Sequence, residues 1–545
     1  MIGGHAPFGG LVATGGRGAE PVRRASHRPA PWVAVAALAA VGLAGALAAV
    51  AVDNPFVAIG AVGATLLGMT ILVRPGAATL VVVAILYSNA GVIAVRFHGV
   101  PSFAALAVPM LLIAPLAAFI VLERRPIVIT SAFPLMVALL LVHLISGIFS
   151  VDAATAFDTI VTFSLEGIVL YFLVTNVVRT RTTVIAIVWI LLAVGAFLGA
   201  LTFYQDATGS YGNVYLGFAQ ASEATIGVDS TGLGTSGQFR LAGNIGEKNR
   251  YAQVLLVLVP LGLFMAIGER SRIRRLLALG AAGAISLGVA LTFSRGAAVG
   301  FVLLFGIMFL MGYLKWKYVL AIVLGVAIVF AAVPAYADRL VGLVAVSESV
   351  GSTGIDQADG AIQSRVTEAL AALLAWADHP ILGVGPGEFP QYYRQYADVV
   401  GIRVLATDRE SHNLYLGMAA ELGLMGVTVF LFIVGLTLRD LAHARRAVRA
   451  RDPLMADLAT GFMLSIVAYL TTGIFLHMAF VRYFWLMLAL AGATALVAMA
   501  IARTGDGEPT LDAPPEPDAS PEPERRSRRL ADPSGTDPGL DPLAS

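Results

Sequence analysis

The sequence contains no cysteine among its 545 residues, and only 13% of them are charged. The lack of cysteine excludes disulfides, thiolate metal sites and cysteine nucleophiles. Water-soluble domains have about 25% charged and about 45–50% apolar residues, whereas 58% of this chain is hydrophobic. These proportions exclude an ordinary soluble protein and indicate one that lies largely within a membrane.

The apolar residues form runs of about 18–25, the length that crosses roughly 30 Å of hydrocarbon as a helix. The predicted spans are 32–52, 56–73, 77–95, 103–122, 127–149, 157–178, 183–203, 251–268, 276–293, 297–313, 318–335, 413–437, 454–475 and 482–501. We therefore predict an all-α, polytopic transmembrane bundle of about 12–14 spans. Residues 32–503 form one transmembrane domain in this interpretation.

Basic residues predict the orientation, because cytoplasmic loops carry an excess of Lys and Arg. The connections that share a side with residues 1–31 are the basic ones, among them Arg74, Arg179, Arg270, Lys315 and Arg446. Both termini are therefore predicted to be cytoplasmic, and the loops 204–250 and 336–411 to lie outside. Residues 504–545 are rich in Pro, Asp, Glu and Ser, which predicts a disordered cytoplasmic tail.

The two outer loops nevertheless hold several cations. Arg240, Lys248 and Arg250 lie within eleven residues just before a span, and Arg295 lies in an outer turn between two apolar helices. Such cations fit phosphate binding, but they also fit lipid headgroups, towards which arginine can snorkel. Long loops are also translocated regardless of their charge.

The second outer loop contains a predicted amphipathic helix from about Ser364 to Ala377. Arg365 and Glu368 lie near its polar start, and its apolar face is expected to consist of Leu370, Leu373, Leu374 and Trp376. Such a helix could lie in the interface plane and cover a cavity, or simply pack on the bundle. His379–Pro380 ends it, and Gly383, Gly385 and Gly387 predict a tight turn.

The loop returns to the membrane as "ESHNLYLGMAAELGLMG", in which Ser411 is a plausible helix N-cap. His412 would then lie in the first helical turn, where the helix dipole disfavours the imidazolium and leaves a neutral base. The alternative is a histidine that only occupies a helix end. Glu421 lies about 13 Å deeper on such a helix, which indicates a packing or supporting acid rather than a partner of His412.

The common catalytic signatures are missing: no zinc spacing, phosphate-binding loop or dinucleotide fingerprint occurs in a suitable context. Few ionisable residues fall within the predicted spans, chiefly His143, Glu166 and Glu421, with His477 just beyond the span 454–475. A pump or proton-coupled transporter would need a clearer buried relay.

Five segments, taken in order, resemble the O-antigen ligase/polymerase family of bacterial envelope membrane proteins. They are Arg240-x-x-Gly243 with Asn249, Ser294–Arg295, Arg365 with the helix to Trp376, "HPILGVGPGEF" (379–389) and "HNLYLGMAAELGLMG" (412–426). The resemblance covers roughly residues 130–500, and the family is usually described with about twelve spans rather than fourteen.

The resemblance implies an inverting glycosyltransferase that moves a glycan from an undecaprenyl-diphosphate carrier at the outer face of the plasma membrane. It implies no nucleotide sugar, no metal and no other cofactor. His412 would be the general base, and Arg295 and Arg240 would neutralise the leaving diphosphate. The expected substrate-binding residues are Arg365, Lys248, Arg250, Asn413 and Tyr415.

The implied partners are a lipid-linked glycan donor, a glycan, lipid or protein acceptor, and membrane lipids, but no nucleic acid. The motifs do not separate a ligase from a polymerase. A transporter of a small anion or lipid-linked glycan is an alternative; it predicts inverted repeats and broken midplane helices. A third interpretation, a scaffold for envelope assembly, would not account for the outer-loop cations.

Overall fold

The structure is a computed structural model that describes residues 75–102, 105, 108–224, 238–317, 319–320, 324, 360–478 and 481–503. The predicted spans 32–52 and 56–73, most of 318–335, and the two terminal segments lie outside the described residues.

Helices dominate the part of the chain that the structure describes, and the predicted all-α polytopic class is confirmed. They are α1 Pro75–Ser88, α2 Ala90–His98, α3 Pro109–Val121, α4 Phe133–Ile148, α5 Ala153–Val177, α6 Arg181–Ala207, α7 Lys248–Gly268, α8 Arg272–Ala290, α9 Arg295–Leu310, α10 Gly360–Asp378, α11 Phe389–Val400, α12 Leu414–Val448, α13 Pro453–Thr472 and α14 Val481–Arg503. Among the described residues, seven helices are long and apolar enough to cross a membrane, and the bent pair α1–α2 makes an eighth if counted as one span.

The predicted span 77–95 is a broken one. Helices α1 and α2 meet at 56°, and Asn89 between them has φ 61°, a left-handed conformation that asparagine adopts more readily than most residues. The Asn89 side chain donates to the carbonyl of Asn244, 3.0 Å away. An apolar run shows only that a segment is long enough, and it does not reveal such a break.

Contacts between helix ends gather basic residues that were predicted to be cytoplasmic at one end of the bundle. At this basic end Arg181 pairs with Asp452, and Arg449 pairs with Asp457 at 3.1 Å. The opposite end carries the segments 208–224, 238–247, 291–294, 360–413 and 473–478. We call it the loop end, and the candidate site lies there.

The first long loop contains a small sheet that the sequence did not predict. Strands β1 (Gln220–Ala224) and β2 (Gln238–Gly243) pair antiparallel. Gly243 ends β2 with φ 52°, and a Cβ there would lie 2.3 Å from the ring of Tyr251. The glycine of the Arg240-x-x-Gly243 motif therefore allows β2 to turn closely over α7.

The second long loop contains the predicted amphipathic helix, which is confirmed as α10, and the face that packs on the protein consists of alanines. Leu370 and Leu373 are exposed, whereas Ala371, Ala372 and Ala375 are fully buried. The alanines face α11 and α12 because small side chains let helix backbones approach closely.

The glycine-rich segment after α10 pairs with a break in α12. Gly423 interrupts the helix with φ 63° and ψ −164°. Its neighbours form strand-like hydrogen bonds with the turn: Val384 N donates to Ala420 O at 2.8 Å, and Leu424 N donates to Pro380 O at 2.8 Å. The predicted turn is confirmed by positive φ values at Gly383, Gly385 and Gly387. These bonds fix α10 to α12 at the loop end.

Candidate functional site

The turn before α9 places Arg295 at the start of that helix. The hydroxyl of Ser294 accepts from Ala297 N at 3.4 Å and caps α9, so that Arg295 is its first residue. The preceding Phe293 has φ 52°, a strained conformation for a residue that is not glycine. Arg240 supports the turn from β2, since its Nε donates to Thr292 O at 2.9 Å and its Nη2 to Phe293 O at 3.1 Å.

The start of α7 joins the same cluster. The carboxylate of Glu247 accepts from the backbone N–H groups of Asn249 (3.1 Å) and Arg250 (2.7 Å) and so caps the helix. The Asn249 amide oxygen accepts from Arg240 Nη2 at 3.2 Å. Lys248 is the first residue of α7 and is half-buried, whereas Arg250 is buried. Arg240 thus connects β2, α7 and the turn before α9.

The segment 473–478 binds two further cations, a role that the sequence analysis did not predict. The carbonyl of Phe475 accepts from Arg365 Nη1 at 3.3 Å, and that of His477 accepts from Arg250 Nη1 at 3.0 Å. His477 follows the predicted span 454–475 and lies in the loop after α13, which ends at Thr472.

A small cleft opens between these elements. Its walls include Asn249 of α7, Ser294 of the turn, Arg365 of α10 and Phe475 of the loop. Arg365 is also close enough to interact electrostatically with Arg295. Three of the predicted motifs therefore meet at one opening.

His412 lies before the helix and not in its first turn, so that prediction is corrected. Helix α12 begins at Leu414, and its cap is Asn413, whose side-chain oxygen accepts from Tyr415 N at 2.9 Å and Leu416 N at 3.0 Å. Asparagine and serine are both good caps, and the sequence offered both within three residues. The helix dipole therefore cannot be the main influence on His412.

Asn413 and Tyr415 were predicted to bind substrate, and the structure gives both a part in the fold. Asn413 is the cap, and the Tyr415 hydroxyl donates to Leu470 O at 3.0 Å. Together they orient the start of α12 against α13.

His412 instead has a carboxylate partner that the sequence did not predict. Its Nδ1 lies 2.9 Å from Oε2 of Glu368 and 3.0 Å from the carbonyl oxygen of Glu410. Glu368 is fully buried on α10, and its Oε1 accepts from Arg409 Nε at 2.9 Å. We expected Glu368 near the polar start of α10. Its position three residues before Ala371 places it on the buried alanine face.

A second histidine lies beside the first. The rings of His412 and His477 are 5.6 Å apart and nearly perpendicular. Burial, together with the charges of Arg250 and His412, lowers the pKa of His477 to about 2. Burial also raises the pKa of Glu410, against the opposing effects of Arg250 and His412. His477 is therefore a neutral neighbour at any ordinary pH.

Two buried glutamates near the glycine turn have structural partners. The carboxylate of Glu421 accepts from the backbone N–H groups of Gly387 and Phe389, in keeping with the packing role predicted for it. That of Glu388 accepts from Asp152 N at 2.6 Å and Val151 N at 3.1 Å. Both side chains hold the turn between α10 and α11 against the bundle.

Residues 280–431 match the model of the O-antigen ligase family. The match supports assignment to that family and confirms the resemblance that the motifs predicted. It includes Arg295, Arg365, Glu368 and His412, whereas Arg240, Lys248, Arg250 and His477 lie outside it. No curated protein matches the chain.

Proposed function

We propose that this chain, with its O-antigen ligase-type segment, is a membrane glycosyltransferase that moves a glycan from an undecaprenyl-diphosphate carrier to an acceptor hydroxyl. The reaction takes place at the outer face of the bacterial plasma membrane. The observation that carries the proposal is the meeting of Arg295, Arg365 and His412 around the segment 473–478. The proposal covers a ligase and a polymerase alike, since the two differ in their acceptor.

The reaction is a single displacement. The acceptor oxygen attacks the anomeric carbon, its proton passes to Nε2 of His412, and the bond from that carbon to the diphosphate oxygen breaks. The bonding electrons leave with undecaprenyl diphosphate. One displacement inverts the configuration at the anomeric carbon. A base that removes a proton in this way typically contributes about 10²–10⁴-fold to the rate.

The leaving diphosphate gains negative charge as the bond breaks, and preorganised cations stabilise such charge. Arg295 stands at the start of α9, where backbone N–H groups also favour an anion, and Arg365 lies beside it. We propose that Arg240 stabilises the turn that orients Arg295, because its Nε and Nη2 donate to carbonyl oxygens of that turn. Lys248 extends the positive surface along α7, whereas Arg250 is buried and holds the segment 473–478 by donating to the carbonyl of His477.

Reconstitution tests the proposal directly. Purified protein in liposomes should consume a lipid-diphosphate-linked glycan and extend or glycosylate an acceptor, without nucleotide and after dialysis against a chelator. A transporter would move the donor across the bilayer and leave it intact. Activity that is lost in chelator and restored by one divalent ion would contradict the arginine-based account. The carboxylates of Asp356, Asp359 and Glu388 would then be candidate ligands of that ion. Asp356 and Asp359 lie outside the described residues.

Arg295→Lys should cause a large loss of transfer with normal expression, because lysine keeps the charge but loses the planar pair of donors that matches phosphate oxygens. Arg295→Ala should be at least as damaging. Arg394→Lys is the matched control, since Arg394 is exposed on α11 at the same end. Near-normal activity of both Arg295 variants would identify Arg295 as a lipid anchor.

The orientation can be tested with single cysteines, because the chain has none of its own. Gln395 is exposed on α11 at the loop end, and Ala447 is exposed on α12 near the basic end. In intact cells an impermeant thiol reagent should label Gln395→Cys and not Ala447→Cys, since the basic end is expected to be cytoplasmic. The reverse pattern would place the cluster in the cytoplasm and overturn the proposed face.

A further inference from the structure

The carboxylate of Glu368 is an unusual group to find fully buried on an outer-loop helix. A buried charge is costly unless it is paired and hydrogen-bonded. Arg409 Nε donates to Oε1 at 2.9 Å, whereas Oε2 makes no hydrogen bond among the described residues and lies in ion-pair contact with His412 Nδ1, 2.9 Å away. The burial therefore holds the carboxylate in a fixed place between a cation and an imidazole.

The surroundings of His412 determine which ring nitrogen carries the proton in the neutral form. Nδ1 faces two acceptors, Oε2 of Glu368 and the carbonyl oxygen of Glu410. A nitrogen that faces only acceptors is the protonated one. Nε2 is then left with a lone pair, which is what a general base requires.

We propose that Glu368 is a positioning residue for His412, which it holds in the Nδ1–H tautomer and whose imidazolium it stabilises during transfer. The inference rests on the proposed function, in which His412 is the base. In serine hydrolases, too, a carboxylate orients the histidine that accepts the proton. Here the carboxylate comes from α10 and the histidine from the segment before α12.

The charged groups around His412 come from three elements. Glu368 faces it from α10, with Arg365 one turn earlier. Arg409 and Glu410 precede it in its own segment, and His477 with Arg250 lies on its other side. Of these, the Glu368 carboxylate makes the closest charged contact with the imidazole. Its removal should therefore have the largest effect on how that ring binds protons.

Glu368→Gln tests the assignment because the amide keeps the shape and can still accept from Arg409. Its NH₂ group would then face Nδ1, so that the Nδ1–H form loses one of its two acceptors and keeps only the Glu410 carbonyl; the population of the Nε2–H tautomer should therefore rise. We expect transfer to fall at least about 10²-fold with the KM for the donor nearly unchanged. The acid limb of the pH profile should move to lower pH, since an anion that favours the imidazolium is gone.

Nitrogen NMR of histidine-labelled protein reads the tautomer without any glycan transfer, and a His412→Gln variant identifies the signal. Glu388→Gln is the matched control, because Glu388 is equally buried at the same end and accepts from two backbone N–H groups, those of Val151 and Asp152. It should leave the tautomer of His412 unchanged. An unchanged tautomer in Glu368→Gln would overturn the inference, whatever the transfer rate.

Arg409→Gln keeps the inference testable if Glu368→Gln fails to fold, since the Arg409 side chain is partly exposed. Loss of this cation should favour the imidazolium and move the acid limb to higher pH, opposite to Glu368→Gln. A limb that stays or moves to lower pH would contradict the inference. If Glu368→Gln changes the tautomer and transfer stays at the parent rate, His412 is not the base, and its positioning by Glu368 has no part in the reaction.

Discussion

His412→Gln should reduce glycan transfer by about 10²–10⁴-fold, the usual contribution of a general base. Glutamine keeps hydrogen-bonding capacity but cannot take up a proton at neutral pH. The loss should therefore appear in turnover, with little change in donor binding. Steady-state kinetics in liposomes with varied donor would measure both. His443→Gln is the matched control, because His443 is exposed on α12 at the opposite, basic end of the bundle.

The pH profile of the parent should fall on the acid side, because a protonated base cannot accept the proton of the acceptor hydroxyl. The sign follows from the mechanism: a base is active when unprotonated, so activity is present above its pKa and is lost below it. His477 cannot produce this limb, because its pKa is lowered to about 2 by burial and by the charges of Arg250 and His412. A profile that is flat down to about pH 5 would argue against His412 as the base.

Glu410 is the alternative base if His412→Gln retains nearly full activity. Burial raises the pKa of Glu410, which makes its carboxylate a better proton acceptor than an exposed one. Its Oε1 lies 3.6 Å from His477 Nε2, on the same side as the His412 ring. Glu410→Gln would then abolish transfer, whereas under the present proposal it should cost far less than His412→Gln.

The sequence predicted best the features that are determined by neighbouring residues. Apolar length predicted the helical membrane fold, the cap at Ser294 fits the helix that starts at Arg295, and the three glycines of the 379–389 motif predicted a turn. The basic residues predicted which loops share an end of the bundle. Each of these features depends on residues that are close together in the chain.

The sequence was less informative where partners come from distant segments. Glu368 and His412 are 44 residues apart, and the alanine face that buries Glu368 is less apolar than the leucine face that remains exposed. Binary patterning therefore did not identify the face of α10 that packs on the protein.

The break in α12 explains two of the glycines that the family motifs contain. A Cβ on Gly423 would lie 2.2 Å from the carbonyl carbon and oxygen of Ile381, and one on Gly383 would lie 2.2 Å from the carbonyl carbon of Glu421. Neither backbone could approach the other if these residues had side chains. The two glycine-rich motifs therefore fit each other, and through this contact α10 and Glu368 are held beside His412.

Gly423→Ala should be among the most damaging single substitutions in the protein. Its φ of 63° and ψ of −164° lie in a region that is essentially restricted to glycine. Such strain costs about 1–3 kcal/mol, and overpacking adds about 1–3 kcal/mol. We expect a much lower thermal midpoint in detergent and a large loss of transfer, because α10 would separate from α12.

Gly435→Ala provides the control in the same helix, since no neighbouring atom lies within 4 Å of a Cβ at that position. Alanine is better than glycine in a helix interior by about 1 kcal/mol, so this variant should be as stable as the parent or slightly more stable. If Gly423→Ala matched it in thermal midpoint and transfer, the break in α12 would not be needed to place Glu368 beside His412. The glycines of the two motifs would then have to serve a ligand rather than each other, and the 379–389 turn would become a candidate part of the donor site.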